Sequence, residues 1–165
     1  MVKLAKILTG ATLVLLAFLA IALFGVRLRV SVVEFSAQPA REHIELSEEL
    51  IRTAARDDMD SDLFKRPTRT GIDRYQLITI KLRARNVGIL PAEWVQLRIA
   101  PDPGDIALFS GGEVDIPGLF RTREITGTLL AETEAGTALR RLSLEYYVFG
   151  RKLEVAVPID YGDAS

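Results

Sequence analysis

The sequence predicts an all-β fold, a single antiparallel β-sandwich with one short inserted helix, preceded by one transmembrane helix. An uncharged apolar run covers Ile7–Val26. Behind it, successive segments alternate apolar and polar residues with a period of two, which is typical of half-buried strands. Only the segment 47–56 spaces its apolar residues as a helix does. The predicted division is a tail at 1–6, a transmembrane helix at 7–26, the sandwich at 27–160 and a tail at 161–165.

The run Ile7–Val26 has the length that a membrane-spanning helix needs, about 20 residues for ~30 Å of hydrocarbon. A cleaved signal peptide is the alternative, because Lys3 and Lys6 precede the run. The small residues of Ala20–Ala22 have a suitable spacing, but cleavage there would leave the apolar Leu23 as the new start. We therefore expect an uncleaved, single-pass anchor.

The orientation of this anchor depends on nearly balanced charges. Lys3 and Lys6 precede the apolar run, and Arg27 and Arg29 follow it. Long domains are translocated largely regardless of their charge. We expect the N-terminus inside and the domain outside, which places the protein in the cell membrane with its C-terminal domain extracytoplasmic. The absence of cysteine fits either side.

The net charge of the domain limits the classes of partner that it is expected to bind. The formal net charge of −1 becomes −3 when Lys3 and Lys6 are left out with the anchor. A mildly acidic domain is unsuited to nucleic acid, which requires a basic surface. It also argues against tight docking on anionic lipid, apart from Arg27 and Arg29, which are typical interfacial anchors. The expected partners are membrane lipid through residues 7–26 and a protein or envelope polymer.

The first strand begins with Leu28, Val30 and Val32 on one face. The alternation slips at Val33 and Phe35, which predicts a β-bulge.

The same period of two predicts further strands. Alternation is clearest over 78–85, and it returns over 95–99, 125–131, 142–148 and 153–159. A turn is predicted between Asn86 and Pro91. Another joins the last two strands, with Gly150 at the first central position of a tight hairpin.

The predicted helix at 47–56 begins at Ser47, a good N-cap residue, followed by two glutamates that suit the positive end of a helix. Leu46 is expected to contact Ile51 as a hydrophobic staple. The charged, turn-rich segment 57–74 is predicted to be a loop.

Seven or so short strands separated by turns predict a two-layer sandwich. The strand and N-x-G turn I-T-I-K-L-R-A-R-N-V-G at 78–88, followed by P-A-E-W-V at 91–95, resemble the bacterial immunoglobulin-like domains of the CARDB type. The resemblance covers roughly 75–159. It implies adhesion, spacing or assembly at a cell surface, and it carries over no catalytic residue. The helix and loop at 47–74 depart from that family's usual pattern.

Catalytic chemistry has few candidates, and we predict no enzyme, no catalytic residue and no cofactor. His43 is the sole histidine, there is no cysteine, and no G-x-S-x-G elbow occurs. His43 is expected to be a solvated loop residue. The segment Phe109–Glu113 is a turn that lacks the lysine of a P-loop.

Asp58, Asp60 and Asp62 have the spacing that begins a calcium loop. Leu63 stands where the pattern needs glycine, and Arg69 stands where it needs the final acid. We therefore predict a solvated acidic loop without a metal site; a looser extracellular calcium site is the alternative.

Trp94, Tyr147 and Phe149 are the candidate partner surface. Their strand parity puts them opposite apolar neighbours, on the outer face of two strands that adjoin in an immunoglobulin-like order. Exposed aromatic clusters are typical of binding sites. The alternatives are a core position for Trp94 and a surface covered by the helix at 47–56.

The sequence therefore favours a membrane-anchored extracytoplasmic β-sandwich that serves as a binding or structural module of the cell envelope. The first alternative is an accessory subunit of a membrane transport or secretion complex. The second, an envelope enzyme, has the least support.

Overall fold

The computed structural model describes residues 2–56, 61–67, 71–135 and 140–158, without the side chains at 2–5, 20, 22–24 and 61. Two α-helices, α1 (Val2–Phe24) and α2 (Ile44–Arg56), accompany nine strands in these residues. The strands are β1 (Leu28–Pro39), β2 (Ser61–Leu63), β3 (Tyr75–Asn86), β4 (Ala92–Ile99), β5 (Asp105–Ser110), β6 (Val114–Ile116), β7 (Thr122–Glu132), β8 (Leu142–Val148) and β9 (Arg151–Ala156). Short 3-10 helices cover Ala40–His43, Ile72–Arg74 and Thr133–Ala135.

The strands form two antiparallel sheets, which confirms the predicted β-sandwich. The five-stranded sheet has the order β1-β3-β7-β5-β2, and the four-stranded sheet has the order β6-β4-β8-β9. The predicted strands correspond to β1, β3, β4, β7, β8 and β9. Strands β2, β5 and β6 were not predicted.

The main core lies between the two sheets. Ile78, Ile80 and Leu82 of β3 are fully buried and pack in one cluster with Leu97 of β4 and Leu144 of β8. The alternation read in the sequence is therefore the alternation between core and solvent. Burying each such side chain contributes about 1.5–3 kcal/mol.

A second, smaller core lies on the outer face of the five-stranded sheet. Leu50, Ile51 and Ala54 of α2 pack there against a set of buried residues from β3, β5 and β7. That set includes Leu77 and Leu130. One end of the five-stranded sheet is consequently covered on both faces.

The predicted start of the helix is wrong by one turn. α2 begins at Ile44 and continues directly from the 3-10 helix Ala40–His43. Ser47 lies inside α2, where its buried Oγ donates a hydrogen bond to the Ala40 carbonyl at 2.9 Å. Leu46 is exposed and does not act as a staple. The serine is therefore a link between two helical turns and not an N-cap.

The predicted loop at 57–74 also needs correction. It contains strand β2, which pairs with β5, and the 3-10 helix Ile72–Arg74. Residues 57–60 and 68–70 lie outside the described part of the chain.

The bulge predicted in β1 is confirmed, because the register with β3 shifts between Val32 and Glu34. The hairpin between β8 and β9 differs from the prediction. Val148 pairs with Arg151, so the loop has two residues, Phe149 with φ 50° and Gly150 with φ 74°. Positive φ at both central residues defines a type I′ turn. Gly150 therefore occupies its second central position, not its first.

Helix α1 begins at Val2, inside the predicted tail 1–6, and ends at Phe24. Its described side chains are exposed, including Leu13, Val14 and Phe18. Among the residues with a described placement, no helix is found that combines the length and the hydropathy of a membrane span. The predicted tail at 161–165 lies outside the described residues.

Candidate functional site: the loop end of the sandwich beside the N-terminal helix

The chain that leaves α1 is fixed against the loop 87–91. The carbonyl of Gly25 accepts a hydrogen bond from the Leu90 N–H at 2.6 Å, and the Arg27 carbonyl accepts one from the Val87 N–H at 2.9 Å. Gly88 allows this approach, because a Cβ atom there would lie 2.6 Å from the Gly25 oxygen. The end of α1 is therefore held directly at one end of the sandwich.

The buried side chain of Asn86 organises this end. Its Nδ2 donates to the carbonyls of Leu90 at 2.7 Å and Ile116 at 3.2 Å, and its Oδ1 accepts from the Gly88 N–H at 2.9 Å. The Gly88 carbonyl in turn accepts the Leu119 N–H at 2.7 Å. These bonds join the loop 87–91 to the end of β6 and to the following loop, 117–121.

The hairpin between β8 and β9 reaches the same place. A cavity of about 350 Å³ separates it from the end of α1; its lining consists of Ile21, Gly25, Val26, Leu90, Val148, Phe149, Arg151 and Leu153. Three loops, 87–91, 117–121 and 149–150, thus surround the point where α1 joins the sandwich.

Each of these loops exposes a large apolar side chain, and we call the four residues concerned the apolar rim. Ile89 is 47% exposed, Leu119 68%, Phe120 60% and Phe149 79%. Three of them also have left-handed backbones, with φ 61° at Leu119, 66° at Phe120 and 50° at Phe149. A bulky residue at positive φ is a conformational outlier that costs ~1–3 kcal/mol. The rim therefore combines apolar exposure with backbone strain.

Arginines adjoin the rim. Arg29 and Arg85 lie directly opposite each other in the β1–β3 register, where like charges repel. The Arg85 guanidinium lies 5.3 Å from the centre of the Phe120 ring, a cation–π contact. Within the described residues Arg29, Arg121 and Arg151 form no ion pair. Arginines outnumber the exposed acidic residues beside these loops, at positions 93 and 115, so this end of the molecule is net positive as well as apolar.

The structure brings together two of the three residues of the predicted partner surface. The rings of Trp94 and Tyr147 make an edge-to-face contact with centroids 5.5 Å apart. Trp94 is 57% exposed, so it has no core position, and α2 packs on the other sheet and does not cover it. Phe149 lies at the hairpin tip beside the cavity.

A bulge in β4 exposes the side chain of Trp94. The register between β4 and β8 shifts between Glu93 and Gln96, and Trp94 has φ 50°. Its N–H, which the bulge removes from the ladder, donates to Asp115 Oδ1 at 2.9 Å. The parity argument thus led to an exposed residue for which the bulge is the structural cause.

Three residues of the apolar rim were not predicted from the sequence, namely Ile89, Leu119 and Phe120. A signal was available: these bulky apolar residues stand in the turn segments N-V-G-I-L-P and I-P-G-L-F-R. Turns normally carry polar residues, so apolar residues in a turn are exposed unless the turn is covered.

The acidic segment that resembled a calcium loop is described only at Asp62. Both Asp62 carboxylate oxygens accept hydrogen bonds from Arg98 Nη1, each at 2.6 Å. Asp58 and Asp60 lie outside the described residues. In the described ranges, no group of three or more potential metal ligands is found. His43 is exposed, and its Nε2 lies 2.6 Å from Gln38 Oε1.

No family model matches the chain, and a search of curated proteins finds no relative. Among solved structures, the chain is similar to an uncharacterised β-sandwich protein from Clostridium difficile 630. The identity is 9% and the TM-score is 0.33, with 80% of this chain and 86% of the other covered. The sandwich assignment therefore rests on the two sheets described above.

Proposed function

We propose that the protein is a single-pass, membrane-anchored β-sandwich whose extracytoplasmic domain serves as a binding or structural module of the cell envelope. The observation that carries the proposal is the surface of α1. Leu13, Val14, Leu15 and Leu16 follow one another around the helix, and all four are exposed. Because successive helical residues point ~100° apart, the helix has no polar face here.

The length of α1 supports the same proposal. It has 23 residues, which corresponds to about 34 Å at ~1.5 Å per residue. The uncharged sequence run is Ile7–Val26. Positions 20 and 22–24 of this run are also apolar, and their side chains lie outside the described part of the chain.

The immunoglobulin-like character of the domain is part of the proposal, and the strand order supports it. One sheet contains the neighbours β1-β3-β7 and the other the neighbours β4-β8-β9. Immunoglobulin domains place strands A, B and E in one sheet and C, F and G in the other. Such domains commonly act through exposed loops at the ends of the sandwich.

Alkaline carbonate extraction tests the anchor. We expect the full chain to remain with the membrane pellet. The control is a variant lacking residues 1–22, which retains the Gly25 carbonyl that Leu90 binds; it should appear in the supernatant. Release of the full chain, or its recovery as a processed form starting near Leu23, would show that the anchor is wrong.

Protease treatment of intact spheroplasts tests the sidedness. Degradation of the sandwich, with only α1 and its short tail spared, is expected for an extracytoplasmic domain. Protection until the membrane is lysed would reverse the topology.

Purification in mild detergent distinguishes a binding or structural module from an accessory subunit of a transport or secretion complex. A stoichiometric membrane partner would favour the accessory subunit.

A further inference from the structure

We propose that the apolar rim and its neighbouring arginines form a second membrane contact, which docks the loop end of the sandwich into the phospholipid headgroup layer. This inference rests on the proposed anchor and goes beyond it. It assigns a lipid-binding surface to the folded domain itself.

The position of the rim follows from its bonds to the end of α1. The Leu90 N–H binds the Gly25 carbonyl, and Leu119 is bonded to Gly88. If the apolar run ends at Val26, these loops lie within a few ångströms of the boundary between hydrocarbon and headgroups. The rim then cannot remain in bulk water.

The chemistry of the rim fits that layer. Ile89, Leu119, Phe120 and Phe149 present aliphatic and aromatic groups on three separate loops. Amphipathic aromatic and apolar groups at headgroup depth are typical of interfacial anchoring. The left-handed backbones of Leu119, Phe120 and Phe149 lower stability, and their exposed side chains contribute little burial that would offset this cost.

The charge of this end fits the same partner. Arg29 and Arg85 face each other without an acidic partner in the described residues. Lipid phosphate groups would neutralise that repulsion, and each arginine near an anionic membrane surface contributes about 1 kcal/mol. A second copy of this chain would instead bring the same positive charges together. A bilayer is therefore the favoured occupant.

Site-specific fluorescence tests the contact, because the chain has no cysteine and each variant carries one label. The full-length variants Phe120→Cys and Phe149→Cys are labelled with the dye NBD. Each is placed, one chain per disc, in nanodiscs of phosphatidylcholine and phosphatidylglycerol. Glu134→Cys, at the opposite end of β7, is the exposed control; the 11 residues of β7 separate the two ends by roughly 33 Å. Leu13→Cys reports on α1.

We expect blue-shifted emission and quenching by spin-labelled lipid at Phe120→Cys, Phe149→Cys and Leu13→Cys, and neither effect at Glu134→Cys. Quenching at Leu13→Cys alone would overturn the docking and leave the anchor intact. Quenching at the rim without quenching at Leu13→Cys would retain the lipid contact and overturn the anchor. A circular dichroism spectrum of each variant verifies that it is folded.

The arginines are tested in the Phe149→Cys chain. The double substitution Arg29→Glu, Arg121→Glu should reduce the quenching in phosphatidylglycerol-containing discs, whereas Arg52→Glu on α2 should not. Equal quenching in all three proteins would overturn the ionic part of the proposal. Single-chain discs exclude a second copy as the cause of any blue shift.

Discussion

Phe149, in the hairpin between β8 and β9, combines a strained backbone with an exposed side chain. Type I′ turns favour Asn-Gly because both central residues need positive φ. This turn has Phe149-Gly150 instead, with the phenyl ring 79% exposed. The ring therefore contributes little burial to offset the strain of its backbone.

Replacing Phe149 with asparagine should stabilise the sandwich. We expect Phe149→Asn to raise the free energy of unfolding by about 1 kcal/mol, because asparagine adopts positive φ more readily. Urea unfolding of the full chain in detergent measures the change. Phe149→Ala is the control, since it removes the ring but keeps a residue that disfavours positive φ, and it should give a smaller gain. A loss of stability in Phe149→Asn would mean that the ring supports the fold.

A buried ion pair is the second residue-scale feature. Arg140 Nη2 lies 2.9 Å from Asp105 Oδ1, its Nε lies 3.1 Å from Oδ2, and Asp102 adds a carboxylate oxygen at 3.0 Å. The hydrogen bond to Asp105 raises the pKa of Arg140 above its ordinary value. Both Arg140 and Asp105 are almost completely shielded from solvent.

Removing one partner of this pair should be costly. We expect Arg140→Met to lower the free energy of unfolding by about 3–5 kcal/mol, because the Asp105 carboxylate would stay buried without its main partner. The adjacent, exposed Arg141 offers a matched control, and Arg141→Met should change stability by less than ~0.5 kcal/mol. The comparison is made by chemical denaturation. Equal effects of the two substitutions would contradict the assignment.

At the scale of elements, the success of each prediction depended on how many faces of a strand are covered. β3 and β4 were recognised because burial alternates along much of each strand. In β5, the four residues Asp105–Leu108 are all buried, since α2 covers the face that the main core does not. A strand buried on both faces has no period of two, so it lacks the alternation by which the other strands were recognised. Its remaining signal is a short apolar run between turn residues, which does not distinguish a strand from a buried helix.

Part of the candidate partner surface could be predicted from the sequence. Strand parity predicted an outer-face position for Trp94 and Tyr147, because side chains alternate in a regular strand. Tyr147 follows this rule, whereas Trp94 is exposed by the bulge in β4, which parity does not predict. Leu119 and Phe120 lie in a loop that has no such periodicity. Only the folded chain places that loop beside Gly25, through bonds to Gly88 and Leu90.

The acidic segment at 58–62 should not bind calcium tightly. Asp62 is already bound by the Arg98 guanidinium, and the pattern lacks the glycine and the final acid. We expect a dissociation constant no tighter than about millimolar by calorimetric titration of the full chain. Micromolar binding that is abolished by Asp60→Ala would contradict this prediction.

The outer face of the four-stranded sheet makes stability depend on pH. Burial of Glu145 opposes its ionisation, but Lys152 Nζ at 2.6 Å and Arg98 Nε at 3.4 Å outweigh it, so its pKa lies below the ordinary 4.5. A carboxylate with a lowered pKa stabilises the fold above its unfolded pKa. That contribution is lost as the pH falls through the folded pKa.

Glu145→Gln should therefore lower stability at neutral pH by about 1 kcal/mol and flatten the loss of stability below pH 4.5. Unfolding midpoints measured from neutral to acidic pH provide the comparison. Glu154 faces Glu145 in the β8–β9 register and forms no ion pair in the described residues, so Glu154→Gln is the control. Identical pH profiles for the two variants would show that the Glu145 contacts contribute nothing.

At the scale of the whole molecule, the net charge does not show how the charged residues are distributed between the two ends of the sandwich. The −3 of residues 27–165 suggested weak interaction with anionic lipid beyond Arg27 and Arg29. Folding places Arg85, Arg121 and Arg151 at the same end as those two. The other end carries both signs, because Arg52 of α2 and Arg74 lie there together with the acidic residues of α2 and of the segment 132–134. Averages over a sequence cannot reveal this polarity, because it arises from the antiparallel pairing of distant segments.

The sandwich should fold without most of α1. Among the α1 side chains that the structure describes, none belongs to either hydrophobic core. The junction depends on the carbonyl of Gly25 and on Val26, which packs against the main core. We expect a chain lacking residues 1–22 to unfold cooperatively, with a free energy of unfolding high enough for a stable β-sheet spectrum at room temperature.

A second, shorter chain that lacks residues 1–26 has also lost Gly25 and Val26. Its free energy of unfolding should be lower by about 1–3 kcal/mol, because one hydrogen bond and one apolar contact are missing. Urea unfolding followed by circular dichroism compares the two. Equal stability would mean that the junction with the loop 87–91 does not hold the end of the helix, and non-cooperative unfolding of the longer chain would mean that α1 is part of the folded unit.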